Sequence, residues 1–572
     1  MTAGAAIAKY SDNKSQTSPL GTSSLFALWL LISLACLTCI ILIFTPTYRS
    51  NDDVLSTMLY SGKLIIDQPT PDYWVSNILF GRSISKLYTH FPKIPWYSFA
   101  IYACYLIPLA LVGLVSTLKG LNRFAIGTLV IWLVICVLPL TTQPQFTTAS
   151  TFACGIGMYS IIWILCCSNL PTYQLRIVLI ASMLTIILGS CIRAEGLILG
   201  GIPNVLFLVH LWYSGKTDLR KLCQWLGATF TVCLALYLID YMHFRLQPEW
   251  RDFMQFRDAA TRVIDAGDTK FMDRAVIAAK GWSKEELELL RDHWFMVDPD
   301  IVSQQHLENL LSATPGMLSK VVSNLSSNET YLRLKGELFR ELPYLICFIC
   351  LAACLAGRKC FGRFLLIVIG CGLSIVLIAA AWKAPWRLIY GMLAIVPLYL
   401  LVDSNSDSLV CNMPKTVRHV VTVALIAFAT FAALDFLYET DRYAEQRRAN
   451  VSTTFEQFSK LANKSNKPIV VWGRDLPFEH LVLPFEELRS VPNVPLIWIC
   501  LVTRTPFSSA WLERLGVKDL LAAIVDNQLS VIVLPERLHL IQWHYEHVRK
   551  KPITPTLEGK TDQFSVFHFA TK

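Results

Sequence analysis

Apolar and polar residues alternate along this chain in long blocks rather than in the short periods of a soluble fold. Residues 1–23 are polar, rich in Ser and Thr, and read as a cytoplasmic tail. The apolar run over 24–45 is longer than the hydrophobic region of a cleaved signal and reads as a retained anchor. Further runs lie near 97–118, 124–141, 151–168, 177–192, 196–213, 222–243, 342–357, 363–381, 387–402 and 418–437, making about eleven candidate spans on a window of roughly 19 residues. Each approaches the roughly 20 residues needed to cross about 30 Å of hydrocarbon. The pattern predicts a polytopic α-helical membrane protein whose core runs from 24 to 437.

Three long polar segments interrupt or follow these runs: 46–96, 244–341 and 438–572. In the first, Trp74, Ile78, Ser85, Tyr88 and Phe91 alternate with Arg82, Lys86 and Lys93, which suits helices lying in the membrane interface. The second contains amphipathic stretches, and Ser283 followed by Glu286 predicts a capping box at a helix start. In the third, PIVVWG, PLIWIC and SVIVLP are short β-branched runs separated by helical stretches, which predicts a small α/β domain with a partly parallel sheet.

Composition agrees with the blocks. The chain is 54% hydrophobic and 16% charged, against about a quarter charged in soluble proteins. The net charge of +9 does not make a nucleic-acid surface, because Lys and Arg are scattered between apolar blocks. Of seventeen cysteines only Cys500 lies in the large polar segments, so no disulfide framework is expected. Cys36/Cys39 and Cys347/Cys350 have CxxC spacing but no nearby His, and read as small packing residues.

Basic residues orient the spans. With the amino terminus inside, the inner loops hold Lys119, Arg123, Arg176, Lys216, Arg220, Lys221, Arg358, Lys359, Arg363, Lys415 and Arg418. The short outer turns hold only Arg193, Lys383 and Arg387, the asymmetry of the positive-inside rule. The three long segments then face outward.

That topology gathers candidate chemistry on one face. TYRSNDDV places Asp52 and Asp53 at the mouth of the first span, where charge is costly without a partner or a task. Arg193 and Glu195 share the turn CIRAEG, Lys383 and Arg387 flank AWKAPWRLIY, and Asp240, His243 and Arg245 end the seventh span. Carboxylates beside cations at a membrane surface suit a lipid-linked phosphate: cations hold the phosphate and a carboxylate takes a proton from an acceptor hydroxyl. Two adjacent carboxylates could also hold Mg²⁺ or Mn²⁺, although no third ligand is identifiable.

An anchor, an acidic pair opening the first outer loop, interface helices and a polytopic core with an exterior α/β domain resemble the GT-C superfamily of glycosyltransferases. The stretches NDDVLSTMLYSG, NILFGRSISKLYTHFPKIPWY and GWSKEELELLRDHWF also resemble a group of bacterial polytopic membrane proteins. The resemblance implies transfer of a sugar from a polyprenyl-phosphate donor to a glycan, lipid or protein acceptor at the outer face of a bacterial inner membrane. It implies Asp52 or Asp53 as base, with Arg193, Lys383 and Arg387 toward the donor phosphate.

Each site has a plainer alternative. Residues 51–53 could cap a helix, Arg193 and Glu195 could pair with each other, and Lys383 and Arg387 could snorkel beside Trp382 and Trp386. His243 could be an ordinary interfacial histidine, and Asp298 and Asp300 in FMVDPD read as turn residues. Gly196 and Gly200 form a GxxxG that suits close helix packing. A transporter or flippase of lipid-linked glycans would want charges mid-span and inverted repeats, and a non-catalytic assembly protein would need no outward cavity.

Overall fold

A computed structural model describes residues 21–119, 129–130, 132–167, 171–213, 219–264, 274–291, 298–299, 301–312, 358–381, 386–399, scattered positions over 427–450, and 453–462, 467–473, 475–476, 478, 482–488, 495–561 and 564–572. The predicted spans at 342–357 and 418–437 fall largely or wholly outside them. Within them the apolar runs are helices: α1 (Thr22–Phe44), α4 (Trp96–Lys119), α5 (Phe146–Cys167), α6 (Thr172–Ile192), α7 (Glu195–Tyr213) and α8 (Leu219–Tyr241). The first polar segment adds α2 (Asn51–Ser61) and α3 (Ile78–His90), and the second opens with α9 (Pro248–Ile264). Among the described residues five helices are long and apolar enough to cross a membrane.

Burial sorts these helices. α5 is 94% buried over its apolar window, whereas α1 is 11% buried, so α5 is the hub and α1 turns its apolar surface outward. Such a surface is matched to lipid, where a helix already satisfies its own backbone groups. Close approach around the hub depends on small residues. Gly200 sits where a Cβ would meet Gly155 N at 2.6 Å and Thr151 O at 2.7 Å, and Gly196 lies against Ser150. The GxxxG is therefore a packing face of α7 on α5. On the other flank, the Trp29 indole of α1 covers Gly113 of α4 and donates to Thr117 at 2.8 Å.

The run expected over 124–141 is irregular where it is described. A π-helical turn over Leu133–Val137 leads into a short helix, Leu138–Thr142, and the chain then turns through residues 143–145 into α5. Around 386–399 a short helix, Trp386–Leu393, gives way to turns. The predicted capping box forms: Ser283 N–H donates to Glu286 at 2.7 Å and Glu286 N–H to Ser283 Oγ at 3.1 Å.

The carboxyl-terminal part is a five-stranded sheet ordered β2-β1-β3-β5-β4. The three anticipated runs are β1 (Ile469–Trp472), β2 (Leu496–Ile499) and β3 (Ser530–Val533), all parallel and fully buried. β4 (Ile553–Lys560) and β5 (Ser565–Thr571) form an antiparallel hairpin on β3 that hydrophobicity alone did not disclose. The fold is thus a helical membrane core carrying a small mixed sheet domain.

Asp298, expected in a turn, is wholly buried, with His544 Nε2 at 2.9 Å and Arg549 Nε at 2.7 Å from Oδ2. It ties the second polar segment to the helix Leu538–His547 of the sheet domain. Asp300 lies outside the described residues.

Candidate active site

The site begins with the N-terminus of α2. Ser50, in extended backbone, precedes the first helical residue, Asn51, and makes no side-chain cap to the helix. Asp52 and Asp53 fill the first turn, where the helix dipole favours negative charge. The two carboxylates then part. Asp53 is fully buried: Tyr97 O–H donates to its Oδ1 at 2.9 Å, Phe146 N–H to the same oxygen at 3.0 Å, and Ser50 O–H to Oδ2 at 3.0 Å. Burial holds this carboxyl up at about 7 despite those three donors. Asp52 is part-exposed and lines a cavity of about 1250 Å³.

The cavity lies where the helix ends meet the sheet domain. Arg49 and Asp52 form one wall, and the loop Tyr73–Asn77 adjoins them. Arg193 and Glu195, from the turn between α6 and α7, form a second wall. Asp240, Arg245 and Arg257 close the side toward α8 and α9, and Gly473, Trp498 and Cys500 come from the carboxyl ends of β1 and β2. Ligands of parallel sheets commonly bind at such strand ends. The volume exceeds the roughly 300–1,000 Å³ of ordinary small-molecule pockets, leaving room for two reactants.

The cations are oriented. Arg193 pairs with Glu195 at 3.3 Å and its guanidinium lies 4.8 Å from the centre of the Phe146 ring, the residue whose N–H holds Asp53. Arg49 donates to Gln143 at 2.5 Å. Arg245 and Arg257 both grip Asp258, at 2.5 Å and 2.7 Å. The Asp240 carboxylate accepts from Ile78 N–H at 2.8 Å and so fixes the start of α3.

The expected residues therefore divide. Asp52, Arg193 and Glu195 share the cavity, and Asp53 supports it from the core. His243 is not on its wall and sits 2.9 Å from Asp72. Lys383 lies outside the described residues, and for Arg387 only its backbone position in the helix Trp386–Leu393 is described. Among the described residues no group of three or more His, Cys, Asp and Glu is placed to hold a metal ion. Arg49, Tyr73, Trp498 and Arg257 were not anticipated. Arg49 stood three residues before Asp52, but the rest come together only through tertiary contact.

No family model and no curated protein matches the sequence. The crystal structure of ArnT from Cupriavidus metallidurans bound to undecaprenyl phosphate matches with a TM-score of 0.50 and 10% identity, over 94% of this chain and 97% of that one. The fold is that of ArnT. The helical membrane core with a small carboxyl-terminal sheet domain, expected from the sequence, is the architecture observed. ArnT in the apo state matches with a TM-score of 0.42 and 10% identity, over 95% of this chain and 98% of that chain.

Proposed function

We propose that this protein is a membrane glycosyltransferase that moves a sugar from a polyprenyl-phosphate donor to a glycan, lipid or protein acceptor on the extracytoplasmic face. The observation that carries the reading is the single cavity shared by Asp52 and Arg193, set in a fold whose solved relative holds undecaprenyl phosphate. The outward placement of this cavity and of the sheet domain rests on the basic-loop asymmetry.

In this mechanism Arg193 holds the donor phosphate, supplemented by Lys383 and Arg387. Asp52 accepts the proton of an acceptor hydroxyl as that oxygen bonds to the anomeric carbon. The bond from the anomeric carbon to the phosphate oxygen breaks, and polyprenyl phosphate leaves with the electron pair. Asp53 acts as a positioning residue. It holds the N–H of Phe146, and the Phe146 ring carries Arg193.

The test is transfer from a panel of labelled polyprenyl-phosphate sugars by purified protein, with and without chelator. Asp52→Asn should lower turnover by about a hundredfold or more, the scale of a lost general base, with the thermal midpoint unchanged. Full activity in that variant would remove the assignment. Loss of wild-type activity with chelator would bring Mg²⁺ or Mn²⁺ into the mechanism.

A further inference from the structure

The loop between α2 and α3 carries a polar group that the mechanism above does not use. Tyr73 is 2% exposed, yet it lines the cavity. Buried phenols ordinarily find a hydrogen-bond partner, because leaving one unmade in the interior is costly. Its neighbours obey this. Tyr48 pairs with Ser98, Tyr60 with Ser76, Tyr97 with Asp53 and Tyr105 with Thr148. The Tyr73 hydroxyl has no such partner among the described residues.

Its ring, by contrast, is tightly placed. Tyr60 meets it edge-on at 6.3 Å and Trp74 at 5.1 Å, and Trp74 in turn packs on Phe253 of α9 at 4.8 Å. A phenol clamped by its ring, with its hydroxyl unpartnered at a cavity wall, is preorganised for a ligand. Asp52 and Arg193 both act electrostatically on that hydroxyl, and burial raises its pKa well above the ordinary value. It therefore stays protonated and can donate. A neutral donor bonds more strongly to an anionic oxygen than to a neutral one.

We propose that the hydroxyl of Tyr73 is a donor-binding group that hydrogen-bonds a phosphate oxygen of the polyprenyl-phosphate substrate beside Arg193. This assignment rests on the transferase reading given above. It predicts that Tyr73→Phe, which removes one oxygen and no internal hydrogen bond, weakens that substrate's binding and leaves folding untouched.

The experiment measures binding of undecaprenyl phosphate to the full chain in nanodiscs, for wild type and Tyr73→Phe, with inorganic phosphate as competitor. The expected result is a loss of affinity of about tenfold or more in the variant, the worth of a hydrogen bond to a charged group, at an unchanged thermal midpoint. Inorganic phosphate is expected not to compete. Equal affinities would overturn the role of Tyr73 while leaving the transferase reading intact. A lowered thermal midpoint accompanying weaker binding would assign the hydroxyl a structural role and overturn it as well. Competition by inorganic phosphate that the variant abolishes would make the site one for free phosphate. Absence of undecaprenyl phosphate binding in the wild type would remove the transferase reading and this assignment with it.

Discussion

At the start of α2 consecutive side chains project about 100° apart around the helix axis, so Asp52 and Asp53 cannot share one environment. Asp52 reaches the cavity, and Asp53 turns into a nest of three donors. The dry surroundings keep the Asp53 carboxyl near 7, above its ordinary value. The folded chain then retains a proton that the unfolded chain releases between about pH 4 and 7, so this group costs stability as pH rises through that window. Asp53→Asn keeps an oxygen for Tyr97 and Phe146 but cannot ionise. Thermal midpoints measured across the window should fall with pH more steeply in the wild type than in this variant. Parallel curves would show that Asp53 does not titrate there. That two carboxylates stand beside an apolar run was legible in the sequence. Which member lines the cavity was not, because it depends on where Tyr97 and Phe146 arrive.

The apolar blocks at the scale of the element map closely onto α1 and α4 to α8, because twenty consecutive apolar residues have few other stable fates. The GxxxG was equally readable, and its two neighbouring glycines make a sharp comparison. A Cβ on Gly200 would press on backbone atoms of Gly155 and Thr151, which cannot swing away, whereas on Gly201 it would meet Met158 Sδ at an ordinary 3.7 Å. Gly200→Ala should therefore destabilise by about 1–3 kcal/mol, the cost of overpacking, while Gly201→Ala should be close to neutral. Thermal unfolding in detergent reads both, and equal effects would contradict the α5–α7 contact. The β4–β5 hairpin escaped notice for the opposite reason. β4 is an edge strand, ITPTLEGK, with Pro555 and mostly exposed side chains, so it lacks both the β-branched run and a clean alternation.

Across the whole molecule, contacts distant in sequence decide how the sheet domain meets the rest of the chain. Asp298 joins His544 and Arg549 over some 250 positions, Leu289 enters the core of the sheet domain, and Trp498 and Cys500 complete the cavity begun at Asp52. Burial together with the nearby Asp52 charge pushes the Cys500 thiol up to about 12, so it stays protonated in the cavity wall. Removing Asp298 strands His544 and Arg549 without their shared carboxylate. Asp298→Ala should cost about 3–5 kcal/mol, the range for breaking a buried ion pair, and should expose the sheet domain to protease sooner than the helical core. Protease resistance unchanged from wild type would show that this junction does not hold the two parts together.

Hydrophobic blocks, basic loops and an acidic pair beside the first span were sufficient to determine a membrane core, three β-branched strands and a set of charged residues, of which Asp52, Arg193 and Glu195 share one cavity. These are local properties: transfer of apolar side chains out of water and the high cost of charge in hydrocarbon act residue by residue. Tertiary structure alone decided that Asp52 rather than Asp53 reaches the cavity, that Tyr73 lines the same cavity as Arg193 with a hydroxyl that has no partner among the described residues, and that Asp298 is an anchor rather than a turn. Those outcomes depend on desolvation by segments tens to hundreds of residues away, and no local window of sequence contains them.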